Sequence, residues 1–156
     1  MTEDLIASHS AGWLCCHAGT HLCALPLTHV IEIMRPQPVA LVAGTLPFVL
    51  GLAVIRGEAM PVISAALLLG GACGAAGRFV SVQAGGSCAV LAVDDVVGVR
   101  RFDVAHTGVL PPLLSAAASD TVAAVAVLDA GFLLFLELAR LVPLAQQRDF
   151  AETGAA

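Results

Sequence analysis

The residues near the amino end with the most chemistry in them are Cys15, Cys16, His17, His21 and Cys23. If Ala18-Gly19-Thr20 is a turn joining two strands, Cys15 faces Cys23 and His17 faces His21 on one side of a hairpin. Two thiolates and two imidazoles grouped in that way match a tetrahedral zinc site. They also admit a Cys–His nucleophile, but the orienting third group has no candidate. The chain contains no Asn, and its Asp residues lie in distant loops. The zinc reading rests on register, since a slip of one residue sends alternate side chains to opposite faces. Cysteine is moreover an ordinary small core residue. Asp94 and Asp95 pose a similar choice between paired carboxylates and a bend with a solvated acid. No further oxygen ligands cluster nearby, so the bend is preferred. We therefore expect no catalytic residue, no metal and no cofactor.

Arg56 is the residue that stands out. It sits between Ile55 and Gly57 at a strand end, where a turn would hold its guanidinium outward. A planar fork displayed there suits bidentate pairing with a partner's carboxylate or carbonyl oxygens. The alternative is an internal pair with Glu58 or Glu32. Val30, Glu32 and Ile33 lie just before Arg35, and they form either a docking ridge or the core face of a short helix. Gly51 and Gly57 serve the backbone, with Gly57 taking a positive φ. Pro61 places part of its strand at an edge or bulge, where it keeps that edge from pairing indiscriminately.

Short apolar runs, broken every 8–12 residues by Gly, Pro or Asp, must position these groups. Trp13–His17 and Leu22–Leu25 form the first hairpin. Thr28 reads as the N-cap of a helical turn over Thr28–Ile33, stopped by Pro36. Leu52–Ile55 returns through Ala59–Ile63 across Arg56-Gly57-Glu58. Ser64–Leu69 reads as a short helix ended by Gly70 and Gly71. Arg78–Gln83 and Ser87–Val93 pair across Ala84-Gly85-Gly86, and Val96–Val99 continues as a strand after the Asp94 bend. A Pro/Ala/Ser-rich loop spans Thr107–Ser119. Val122–Val127 and Phe132–Leu136 close over Asp129-Ala130-Gly131, and Glu137–Gln147 reads as helical.

The 156 residues suffice for one domain. The hydrophobic fraction is 58%, the charged fraction 12% and the mean hydropathy +0.92, so membrane insertion has to be tested. The uncharged span between Arg35 and Arg56 contains Pro36, Pro38, Gly44, Pro47 and Gly51, a density of breakers that argues for turns. No basic segment precedes an apolar one at the start, so the expected location is the cytoplasm. Five cysteines there fit reduced thiols. A net charge of −5, 4% aromatics and no Lys or Tyr leave neither a basic stripe nor a stacking platform for nucleic acid. Sparse charge with apolar excess points instead to surfaces left for protein partners.

Five segments, in order, resemble the CheW family of chemotaxis coupling proteins. They are Leu25–Pro36 with its Val30-x-Glu32-Ile33, Leu46–Gly51 followed by Ile55-Arg56-Gly57 and Pro61-Val62-Ile63, Leu67–Gly70, Leu91–Val99 with Val93-Asp94, and Leu128–Leu141. This chain departs from the family at Val54, where Asn is common, at Ser64 in place of Asp, and at Ala139 in place of a second Asp.

The resemblance implies an all-β fold of two interlocked SH3-like β-barrel lobes with a few short helices. It would occupy residues 13–143 as a single domain, with a flexible 1–12 and a helix end and flexible tail over 144–156. It further implies a non-enzymatic adaptor joining the cytoplasmic tip of a chemoreceptor to the CheW-like regulatory domain of a CheA-type histidine kinase. The expected location is cytoplasmic, at receptor arrays of the inner membrane, with neither nucleic acid nor membrane insertion involved. Arg56, Glu32, Val30, Ile33 and Glu58 are the expected partner-binding residues, and Gly51, Gly57, Pro61 and Asp94 the structural ones. The alternatives are a scaffold of a twitching or other chemosensory pathway, a small membrane protein, and a metalloprotein or thiol enzyme.

Overall fold

A computed structural model describes residues 12–71, 74–101, 122–128 and 131–146. The expected flexible ends, apart from Gly12 and Leu144–Gln146, lie outside these residues, as does the Thr107–Ser119 loop. Strand β1 (Trp13–Ala18) pairs with β2 (His21–Pro26), and a 3-10 turn over Leu27–His29 leads into β3 (Val30–Met34). Strands β4 (Val49–Ile55) and β5 (Glu58–Ser64) precede helix α1 (Ala65–Leu68). Then come β6 (Arg78–Ala84), β7 (Ser87–Val93) and β8 (Asp95–Arg100), and finally β9 (Val122–Leu128), β10 (Gly131–Leu136) and helix α2 (Leu138–Ala145).

The strands form two five-stranded sheets, ordered β8-β1-β2-β10-β9 and β3-β6-β7-β5-β4. Each sheet contains one parallel pair, β2 with β10 and β5 with β7. The second lobe is thus inserted, as one continuous stretch, between β2 and β8 of the first. This is the mostly β, two-lobed architecture expected, and it is consistent with SH3-like barrels.

Alternation along each strand explains the composition. In β1, Trp13 and Cys15 enter a cluster with Ala24, Leu133 and Phe135 that belongs to the first lobe alone. Leu14, Cys16 and Ala18 point the other way, into a large shared core with Leu25, Ile63, Val80, Leu91, Leu134 and Leu141. The second lobe has its own cluster around Ile55, Val62, Phe79 and Val90. Strands buried on both faces read as unbroken apolar runs. That burial is where much of the apolar content goes, and no helix among the described residues is long and apolar enough to cross a membrane. Trp13 and Phe135 meet edge to face at 4.7 Å between ring centroids, a favoured aromatic geometry.

Local signals set the short helices. The Ser64 hydroxyl accepts from the Leu67 N–H at 3.2 Å, so α1 is capped although this position departs from the family's Asp. In α2 the buried residues Leu138, Leu141, Val142 and Ala145 fall at helical spacing, and the helix packs on β6 and β7.

Three sequence expectations are corrected. Thr28–Ile33 is not a helical turn: only Leu27–His29 winds, and Val30–Met34 is a strand paired with β6. The β-branched Val30 and the alternating Ile31 and Ile33 favour the extended form over a single turn with one cap. The first hairpin turns on Gly19-Thr20 alone, so Cys16 faces Cys23, Ala18 faces His21 and Cys15 faces Ala24. Pro61 lies in an interior strand with no bulge at it, while β4 is the edge. Its missing donor is harmless, because Leu52 opposite exchanges both backbone bonds with Ala40 instead.

Asp94 stands where the chain crosses from the second sheet to the first. Its N–H donates to the His17 carbonyl at 2.8 Å, and its Oδ2 accepts from the Gly19 N–H at 2.9 Å. The bend expected there is therefore a tether between the lobes. Asp94→Ala is expected to lower stability by about 1.5–3 kcal/mol, the value of one charge-assisted hydrogen bond. The Gly19 amide should then exchange its hydrogen faster; unchanged exchange and an unchanged urea midpoint would show that the tether contributes nothing.

Candidate partner-binding site

The β4–β5 connection is the two-residue turn Arg56-Gly57, with φ of 50° and 80°. Paired positive φ values give a turn whose twist matches the strands. Arg56 is the only non-glycine at positive φ among the described residues, a conformation that strains L-residues by about 1–2 kcal/mol. Its side chain is 77% exposed.

Glu32 comes from β3, at the opposite edge of the same sheet. Arg56 Nε donates to Glu32 Oε1 at 2.9 Å and Nη2 donates to Oε2 at 2.6 Å. This fork joins the two edges and so marks where the second lobe curls closed. The hydrogen bond from Arg56 holds the Glu32 carboxyl below its usual range, and Glu32 raises the guanidinium in turn. The pair is therefore intact through neutral pH and is lost only as acid protonates Glu32. Being exposed, it contributes little to stability, which leaves it available for recognition.

Arg56, Glu32, Met34, Gln37, Val54 and Ile55 line an open cavity of about 230 Å³. Ile31 and Ile33, on either side of Glu32, are 55% and 46% exposed, and Val54 is 66% exposed. Of the expected site residues, the structure brings together Arg56 and Glu32, while Ile33 is exposed on the other face of β3 and does not line the cavity. Val30 instead packs partly buried against the shared core, and Glu58 is exposed opposite Ile55 at the foot of the turn. Met34, Gln37 and Val54 were missed as site residues. Strand alternation from Glu32 to Met34 was the signal for the first of them.

The candidate metal ligands do not converge. Cys15 sits in the first lobe's cluster, Cys16 and Cys23 in the shared core, and His17 is exposed. No group of three or more possible ligands occurs among the described residues. Burial pushes the Cys15 thiol up to about 11, and a hydrogen bond with Cys16 together with burial raises Cys23 well above its usual value. Such thiols stay protonated at neutral pH and make poor nucleophiles. Asp95 Oδ1 accepts from the Val96 N–H at 2.9 Å, while Asp94 is engaged by Gly19, so the two carboxylates serve different backbone partners.

A pH dependence follows from Cys15. The fold favours its protonated form, so that stability is fully present below the usual value of 9.0 and declines as pH rises through about 11. The chain has no Lys or Tyr, so its cysteines dominate titration in that window, and Cys23 shifts in the same direction as Cys15. Urea midpoints should therefore fall between pH 9 and 11, and fall less in Cys15→Ala. Flat midpoints over that range would contradict the argument.

The described residues form two interleaved β lobes around a shared core. The chain belongs to the CheW-like domain family, whose model matches residues 12–146. That family is one of chemotaxis scaffold and adaptor proteins. Among solved structures it is similar to the scaffolding protein TtCheW from Thermoanaerobacter tengcongensis, with a TM-score of 0.67 and 22% identity over 80% of this chain and 87% of that one. No curated relative matches the chain.

Proposed function

We propose that this protein is a non-enzymatic adaptor that couples the cytoplasmic tip of a transmembrane chemoreceptor to the regulatory domain of a CheA-type histidine kinase. Its place would be the cytoplasm, at receptor arrays of the inner membrane. The observation that carries the reading is the exposed Arg56–Glu32 fork, held on a strained turn at the closure of the second lobe in a chain of this family. Strain in a surface turn is retained where it displays a functional group. The mechanism is geometric: the fork and its aliphatic neighbours meet the receptor, and a second, apolar surface meets the kinase domain. Buried apolar area supplies affinity, and the charged rim sets partner choice.

The test is co-purification, without detergent, with the receptor tip and the kinase encoded by the same genome. A ternary complex supports the adaptor reading. Capture of neither partner overturns it, and recovery of the chain only in the membrane fraction overturns it as well.

A further inference from the structure

We propose that the cavity beside the Arg56–Glu32 fork is a subsite for one aliphatic side chain of the receptor tip, and that Val54 sets this preference. The inference rests on the adaptor reading and adds the chemistry of the contact. The cavity has an apolar side formed by Met34, Val54 and Ile55 and a polar side formed by Glu32, Gln37 and Arg56. The two charges already neutralise one another, with Nη2 and Oε2 at 2.6 Å. An ionised partner side chain must therefore break an intramolecular pair to enter, whereas an aliphatic one need not. Arg56 spends two N–H donors on Glu32. A guanidinium has five, so donors remain for a neutral acceptor such as a backbone carbonyl beside the inserted side chain.

Val54 gives the site its selectivity. It stands on the edge strand β4, opposite Ala59, with two-thirds of its surface open. It offers no hydrogen bond, so a polar partner atom pressed against it is desolvated without compensation. An aliphatic partner gains buried area on both sides instead. At the family's Asn position, this chain thus presents the opposite chemistry.

Binding of the recombinant receptor tip to variants at this position tests the inference, with thermal melts confirming that each exposed-site variant is folded. Val54→Ser removes the aliphatic surface and weakens binding about fivefold, and Val54→Asp weakens it by about twentyfold or more. Val54→Leu, which keeps that surface, binds at least as tightly as wild type. If the Ser and Asp variants bind like wild type while Arg56→Glu does not, the subsite is wrong and the adaptor reading stands. If wild type binds neither tip nor kinase, the adaptor reading falls and the subsite with it.

Discussion

Arg56→Glu is expected to weaken binding to the receptor tip by about 1.5–3 kcal/mol, the value of a hydrogen bond from a charged donor to a partner acceptor. The substitution removes the fork and sets a carboxylate facing Glu32 across a distance now spanned at 2.6 Å. The domain should remain folded, because an exposed ion pair is worth no more than about 1 kcal/mol. The exchange Glu32→Arg with Arg56→Glu separates two roles. It restores the internal pair, so recovered binding would mean that Arg56 acts only by closing the lobe. Continued loss assigns the guanidinium to the partner. A melted Arg56→Glu domain would count against an interface role.

Gly51→Ala should cause the largest loss of stability, about 3 kcal/mol or more, from backbone strain and broken backbone bonds together. Gly51 has φ of +149°, beside a register shift in the β4–β5 ladder. A Cβ there would lie 2.1 Å from the Ala40 carbonyl oxygen and 2.9 Å from its carbon. That carbonyl accepts from the Leu52 N–H at 2.9 Å, and the Ala40 N–H donates back at 2.8 Å. A methyl group must displace Ala40 and with it the bridge that covers the outer edge of β4. Urea denaturation measures the effect; a loss below about 1 kcal/mol would show that the bridge can move aside at little cost.

What was legible in the sequence was local. The turn signals located the β6–β7 and β4–β5 hairpins, although Ala84 and Glu58, expected in the turns Ala84-Gly85-Gly86 and Arg56-Gly57-Glu58, are strand residues, and Ser64 with Gly70 bounded α1. The first hairpin failed by one residue, because Ala18 served equally well as turn or strand on composition alone. That single slip dissolved the zinc arrangement. The strand over Val30–Met34 was missed because its partner β6 is remote and its preceding turn resembled a helix start. The tether from Asp94 to Gly19 spans 75 residues, and the fork from Arg56 to Glu32 spans 24. Such contacts depend on how sheets curl, which residue type and spacing do not encode one at a time.

The insertion of the second lobe within the first has a consequence for synthesis on the ribosome. Strands β3 to β7 are consecutive and can pair as they emerge, but Leu22 on β2 waits for Leu133 on β10. At ~5–20 residues per second, that interval is roughly 5–20 s. Through it, one side of β2 lacks its neighbour and leaves its backbone N–H and C=O groups unpaired. Closure of the first lobe therefore depends on non-local pairing and cannot precede synthesis of β10.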